Sequence, residues 1–117
     1  MQKPTTVFCD LDGVVCKHNG SLTGQTGPME LLPGVVEAFN EWDRLGYNII
    51  LTTGRRESMR KHTEEELARH GLFYDQLIMG VGGGKRVLIN DLKPDNTSPT
   101  AAAICVPRNQ GLKGVTV

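Results

Sequence analysis

The sequence has no excess of either charge. Thirteen Lys and Arg residues balance thirteen Asp and Glu residues, so the formal net charge is zero. Proteins that bind nucleic-acid backbones usually carry a basic excess, and nucleic acid is therefore disfavoured as a partner. No apolar run approaches the roughly 20 residues that span a bilayer, and the first residues lack the apolar segment of a signal peptide. These absences predict a cytoplasmic protein with no membrane partner.

Cysteine is also scarce. Cys9, Cys16 and Cys105 are odd in number, and their spacing fits no zinc motif. This favours a reducing compartment over a disulfide scaffold. By contrast, 38% of the 117 residues are hydrophobic, which is enough for one ordinary core. We therefore predict a single domain spanning 1–117, with no room for a second.

The apolar pattern alternates between short strand-like runs and longer helical periods. It predicts helices after Pro33 and over about 57–70, and strands over 5–10, 47–53, 76–79, 86–90 and 101–106. Strands that alternate with helices are typical of a parallel sheet with helices on its faces. The predicted fold is α/β, a Rossmann-like three-layer sandwich with a mainly parallel, five-stranded sheet.

The segment 13–32 fits neither period and contains several turn-forming residues, among them Gly20, Gly24 and Pro28. We predict that it forms a β-hairpin flap after the first strand. The flap and one helix account for the residues between Asp12 and Thr53. One helix and one strand account for those between Thr53 and Lys85. No cap domain is therefore expected.

Polar side chains follow the predicted strands where each strand ends. Asp10 and Asp12 follow the first strand, and Thr52 and Thr53 end the second. The fourth strand is preceded by Lys85 and followed by Asn90, Asp91 and Asp95. Ligands of parallel sheets bind beyond the carboxyl ends of the strands. Carboxylates there can hold Mg²⁺ or attack phosphorus, while a hydroxyl and an ammonium can bind phosphoryl oxygens. This set predicts phosphoryl transfer.

These residues resemble the four motifs of the haloacid dehalogenase-like (HAD) hydrolase superfamily. The run 10–13 (DLDG) resembles the first motif, and 49–55 (IILTTGR) resembles the second. Lys85 fits the third, and 90–95 (NDLKPD) resembles the fourth, with Asn90 where Gly or Asp is common. A lone DxDG is a weak signal, so the weight lies in the order of all four motifs.

The resemblance implies a role for each residue. Asp10 would be the nucleophile and a magnesium ligand, and Asp12 the general acid and base, with its backbone carbonyl on the metal. Thr53 would bind the phosphate, with Thr52 as the alternative, and Lys85 would steady Asp10 and the phosphate. The remaining assignments are metal ligation by Asp91 and Asp95 and substrate binding by Thr52, Gly54 and Arg55. A solvated helix start is an equal alternative for Arg55.

A Gly-rich run before Lys85 is a different phosphate-binding candidate. A P-loop needs a glycine six residues before the lysine, where Met79 stands, and Ser or Thr after it, where Arg86 stands. The P-loop interpretation therefore fails.

The resemblance implies an Mg²⁺-dependent phosphomonoester hydrolase that forms an aspartyl-phosphate. Its substrate would be a sugar phosphate or another small phosphorylated metabolite. The alternatives are a phosphotransferase, a polynucleotide end phosphatase, or a non-catalytic metal-binding module. A site without a cap domain would stay open to water, so we also expect a homo-oligomer (dimer or tetramer). Four apolar residues of the flap would otherwise be partly wet: Leu22, Met29, Leu31 and Leu32.

Overall fold

A computed structural model describes residues 3–18 and 26–117. Three parallel strands form one sheet in the order β1-β2-β3: β1 (Thr6–Asp10), β2 (Asn48–Thr52) and β3 (Gln76–Ile78). Helix α1 (Val35–Arg44) connects β1 to β2, and α2 (Arg60–Arg69), preceded by a 3-10 turn over Glu57–Met59, connects β2 to β3. The predicted α/β fold with a parallel sheet is confirmed. None of the helices in the described ranges has the length and apolar character needed to cross a membrane.

The core lies between the sheet and the two helices. Val7, Cys9, Ile49 and Leu51 alternate inward from the two longer strands. From α1, Phe39 and Trp42 pack against each other, with their ring centroids 5.0 Å apart. The inward strand residues and the aromatic pair belong to one buried cluster. The cysteine at position 9 therefore belongs to the core, as strand alternation predicts.

The opposite face of the sheet is largely uncovered. Successive right-handed crossovers in the strand order β1-β2-β3 place both helices on the same face. Phe8, which points to the other face, is 56% exposed. The described residues therefore form two layers, and the third layer of the predicted sandwich is not confirmed.

The fourth and fifth predicted strands are not formed. Neither 86–90 nor 101–106 is extended in the sheet, and Val87, Leu88 and Ile89 are 73%, 58% and 91% exposed. Parallel strands need a crossover of about a dozen residues, whereas only 79–85 separate β3 from Arg86. The Arg86 side chain also lies near the carboxyl end of β1, where a parallel neighbour would end. The five-stranded sheet is therefore not confirmed.

Both helices end where the sequence predicts. Gly46 and Gly71 follow them with φ of 74° and 70°, the left-handed conformation that favours glycine. The helix predicted over 57–70 is observed as the 3-10 turn and α2, and its predicted inner residues Thr63 and Leu67 are fully buried.

The flap prediction can be followed only at its two ends, because 19–25 lie outside the described residues. The Lys17 N–H donates to the carbonyl of Glu30 at 2.9 Å, and the Leu32 N–H donates to that of Val15 at 3.0 Å. Met29 is buried, and Leu31 and Leu32 pack partly buried against the core. These three apolar residues therefore fold onto their own domain, while Leu22 lies outside the described residues.

The C-terminal tail docks at the start of α1. Leu112 is buried, and its N–H donates to the Pro33 carbonyl at 2.9 Å. A Cβ on Gly111 would lie 2.1 Å from the Pro33 oxygen, so only glycine allows this approach. The docked tail brings residues 107–110 to the loop that follows β1.

Candidate active site

Asp10 ends β1 beside Thr52, the last residue of β2. The two Cα atoms are register partners, so both side chains project from the same face of the sheet. Oδ1 of Asp10 accepts a hydrogen bond from the Leu11 N–H at 3.1 Å. Burial raises the pKa of the Asp10 carboxyl, and the nearby Arg86 offsets only part of this effect. The Thr52 hydroxyl has no hydrogen-bond partner among the described residues and stays free to donate.

Asp12 receives several hydrogen bonds in the next loop. Arg55 donates from Nη2 to Oδ1 at 2.8 Å and from Nε to Oδ2 at 3.1 Å, and the Thr53 hydroxyl donates to Oδ2 at 2.9 Å. Burial alone would raise the pKa of Asp12, but the hydrogen bonds and charge of Arg55 outweigh it and lower the pKa. Asp12 is therefore held as a carboxylate.

Arg55 lies beneath Asp12 and is only 4% exposed. Its Nη1 donates to the hydroxyl of Thr63 on α2 at 3.1 Å. The guanidinium thus joins the loop after β1 to the loop after β2 and to α2. The enclosed guanidinium contradicts the interpretation of Arg55 as a solvated helix start, whereas its role in substrate binding stays a prediction.

Thr53 is fully buried, and its hydroxyl is engaged on both sides. It donates to Asp12 and accepts the Arg55 N–H at 3.1 Å. The neighbouring loop passes close by, since the Val81 N–H donates to the Thr53 carbonyl at 3.0 Å, and a Cβ on Gly54 would lie 3.0 Å from the Val81 oxygen. In this arrangement Thr52, rather than Thr53, has the hydroxyl that is free next to Asp10.

In the part of the chain that the structure describes, the charged residues of the third and fourth motifs make no hydrogen bond or ion pair with Asp10 or Asp12. Lys85, Asp91 and Asp95 are exposed, and Asp91 bonds instead to Thr100 through its backbone carbonyl and its side chain. Oδ1 of Asp95 accepts the Thr97 N–H at 2.9 Å within a turn. The separation follows from the missing fourth strand, which would have carried Asp91 to the sheet edge.

The cation closest to Asp10 is Arg86, one residue after the predicted lysine. Its Nη2 lies 3.9 Å from Oδ1 of Asp10. Sequence reasoning missed Arg86 because it was assigned to the start of the predicted strand 86–90.

The carboxylate and carbonyl oxygens at the end of β1 and just after it are of the type that Mg²⁺ prefers as ligands. No group of three or more metal-ligating side chains occurs within the described ranges. However, Mg²⁺ is often held by one or two carboxylates, with substrate phosphate and water completing its shell. The Asp10 carboxylate is half-exposed, and the Asp12 carbonyl accepts no backbone hydrogen bond from the described residues. These two oxygen donors fit the ion, and the predicted ligands Asp91 and Asp95 are not beside them.

No protein-family model and no curated protein matches the chain significantly. Two solved chains from Pnkp1/Rnl/Hen1 complexes do match. One is 33% identical over 65% of this chain and 27% of its own, with a TM-score of 0.57. The other, from an RNA repair complex, is 31% identical over 71% of this chain and 28% of its own, with a TM-score of 0.59. The chain therefore spans less than a third of either match.

Two further solved structures share the fold at lower identity. A D,D-heptose 1,7-bisphosphate phosphatase from B. bronchiseptica, complexed with magnesium and phosphate, is 20% identical over 68% of this chain and 51% of its own, with a TM-score of 0.53. A Vibrio cholerae protein is 23% identical over 74% of this chain and 80% of its own, with a TM-score of 0.53. The structural neighbours include HAD phosphatases. The resemblance seen in the sequence is thus confirmed: the chain has the fold of HAD phosphatases.

Proposed function

We propose that the protein is an Mg²⁺-dependent phosphomonoester hydrolase that acts through an aspartyl-phosphate on Asp10. The observation that carries this proposal is the pairing of Asp10 with Thr52 at the carboxyl ends of β1 and β2. A half-buried carboxylate lies beside the free hydroxyl of Thr52, and two residues later Asp12 is fixed by Arg55 and Thr53. The fold shared with a bisphosphate phosphatase supports the same reaction class.

Hydrolysis then needs two transfers. A carboxylate oxygen of Asp10 attacks phosphorus, the bond from phosphorus to the ester oxygen breaks, and the alcohol leaves with a proton. Water next attacks the phosphorus of the aspartyl-phosphate, the bond to Asp10 breaks, and inorganic phosphate leaves. The Thr52 hydroxyl would donate to a phosphoryl oxygen during both transfers. Bound Mg²⁺, held by the Asp10 carboxylate and the Asp12 carbonyl, would neutralise phosphoryl charge.

The lowered pKa of Asp12 favours its role as a general base and works against its role as a general acid. As a carboxylate it is ready to take a proton from the attacking water, but it must first gain a proton to protonate a departing alkoxide. Asp12→Asn should therefore slow turnover of alkyl phosphates more than that of p-nitrophenyl phosphate, whose leaving group needs no proton. Steady-state kinetics with both substrates measure this ratio. Equal losses on the two esters would contradict the acid role.

A substrate screen tests the function itself. Sugar phosphates and other small phosphorylated metabolites should release inorganic phosphate with Mg²⁺ and not after chelation. An alcohol acceptor in parallel reactions distinguishes hydrolysis from phosphotransfer, because a transferase would form a new ester instead of free phosphate. If folded protein releases and transfers no phosphate from any substrate, the non-catalytic metal-binding alternative replaces the enzyme.

A polynucleotide end phosphatase is the second candidate. Its support is the 31–33% identity to chains of complexes that include an RNA repair complex, whereas the zero net charge favours a small substrate. Oligonucleotides with a 3′- or 5′-phosphate belong in the same screen. Faster phosphate release from them than from every metabolite would favour this candidate.

We also propose that two copies of the chain associate through the uncovered face of the sheet. Exposed Phe8 lies on β1, whose outer edge has no strand partner within the described ranges. Zero net charge removes repulsion between copies. Light scattering at micromolar concentration should give a multiple of the monomer mass, and Phe8→Lys should give the monomer mass. A monomeric wild type would end this proposal.

A further inference from the structure

The C-terminal loop is bonded to the segment that follows the first motif. Oδ1 of Asn109 accepts the His18 N–H at 2.7 Å, while Nδ2 of Asn109 donates to the His18 carbonyl at 2.9 Å. One side-chain amide thus satisfies both backbone groups of a residue 91 positions away. These two hydrogen bonds fix both the position of the His18 main chain and its distance from Asn109.

The backbone of Asn109 is fixed at the same place. Its N–H donates to the Gly13 carbonyl at 2.8 Å, and its φ of 63° lies in the left-handed region that asparagine tolerates. The residues that follow are held as well, because Gly111 approaches Pro33 and Leu112 is buried. The loop is therefore anchored both to the segment after β1 and to the start of α1.

His18 lies at the catalytic edge of the sheet. A Cβ built on Gly13 would lie 3.7 Å from Cβ of His18 and 3.3 Å from Cγ of Arg108, so both side chains cover the residue next to Asp12. Burial raises the pKa of Asp10, and the charge of His18 is among the influences that lower it again. His18 therefore lies over the loop that carries Asp12.

We propose that Asn109 is a positioning residue, which holds His18 where its side chain contacts the leaving group of the phosphomonoester. This inference rests on the proposed function. Asn109 bonds the His18 main chain and so fixes the point from which the His18 side chain extends. The leaving group is the natural ligand, because His18 lies over Gly13, next to Asp12, the residue proposed to protonate the departing alkoxide.

Asn109→Gly removes both side-chain bonds and keeps a residue that accepts a φ of 63°. We expect kcat/KM to fall about tenfold, the scale of two lost hydrogen bonds. His18→Ala should cause a similar loss, and the double variant should lose little more than either single variant, since both changes remove one function. Asn109→Asp keeps the acceptor for the His18 N–H but sets a carboxylate oxygen against the His18 carbonyl, so it should lose at least as much activity as Asn109→Gly.

Asn96→Gly is the matched control. Asn96 also has a positive φ, 57°, but lies in an exposed turn and should leave kcat/KM unchanged. Hydrogen exchange supplies a readout independent of turnover, because the His18 amide should exchange faster in Asn109→Gly and not in Asn96→Gly. Should Asn109→Gly fail to fold, Asn109→Asp and His18→Ala are compared on the same readouts.

The outcomes separate this inference from the proposed function. If the wild type shows no turnover, both the proposed function and the role of His18 are contradicted. An active wild type whose kcat/KM is unchanged by Asn109→Gly or His18→Ala overturns the positioning role alone. Losses that multiply in the double variant overturn it as well, because the two residues would then act independently.

Discussion

Asp10→Asn should abolish phosphate release, with a loss of at least about a thousandfold in kcat, as expected when the nucleophile of a covalent mechanism is removed. The carboxamide is too weak a nucleophile to attack phosphorus and carries no charge for Mg²⁺. Asp43→Asn is the matched control, since Asp43 is exposed on α1 and makes no side-chain hydrogen bond within the described ranges. Rates with p-nitrophenyl phosphate would measure both variants.

The same substitution should stabilise the fold. Because burial raises the pKa of Asp10, ionisation of this carboxyl disfavours the folded state above its folded pKa and is relieved as the pH falls through it. At neutral pH, Asp10→Asn should therefore raise the thermal midpoint while it removes activity. Near-normal activity in Asp10→Asn would contradict the nucleophile assignment, and a large fall in the midpoint would mean that lost activity reflects unfolding.

Arg55→Met should lower the free energy of unfolding by about 3–5 kcal/mol, because it leaves the Asp12 carboxylate without its cation. The pair is enclosed, with Nη2 of Arg55 2.8 Å from Oδ1 of Asp12. Arg44→Met is the control, since the Arg44–Glu41 pair on α1 is solvent-exposed and its loss should not change stability measurably. Urea unfolding compares the two variants. Equal stabilities would contradict the structural role of Arg55.

The pH dependence of stability separates charge from packing at this pair. Because the folded pKa of Asp12 is lowered, its contribution is present above the unfolded pKa of about 4 and is lost as the pH falls through the folded value. The stability gap between wild type and Asp12→Asn should be widest at neutral pH and narrow in acid. When both proteins also carry Arg55→Met, the difference in stability between them should no longer narrow as the pH falls.

Much of the site could be predicted because its signals are local. Asp10 and Asp12 follow an apolar run whose length and β-branched residues specify a buried strand, and the next strand ends at the two threonines. Gly46 and Gly71 mark helix ends through their own backbone preference. Each of these features depends on neighbours along the chain.

The features that could not be predicted depend on distant residues. Val87 and its neighbours have strand propensity, but the chain from β3 is too short to place them parallel to β1. An arginine just before a helix is usually solvated, and the burial of Arg55 depends on partners far away in the sequence, above all Asp12. Asn109 and His18 are far apart in sequence, so no local pattern relates them.

Mass spectrometry of protein quenched during turnover tests the central claim most directly. We expect that a peptide containing Asp10 gains the mass of one phosphoryl group when Mg²⁺ and substrate are present. Hydroxylamine should remove this group, and Asp10→Asn should show none. Phosphate release by the wild type with the phosphoryl group on another residue would contradict an aspartyl-phosphate on Asp10. In Asp12→Asn, where breakdown of the intermediate should be slowed, the absence of phosphorylated protein would contradict it as well.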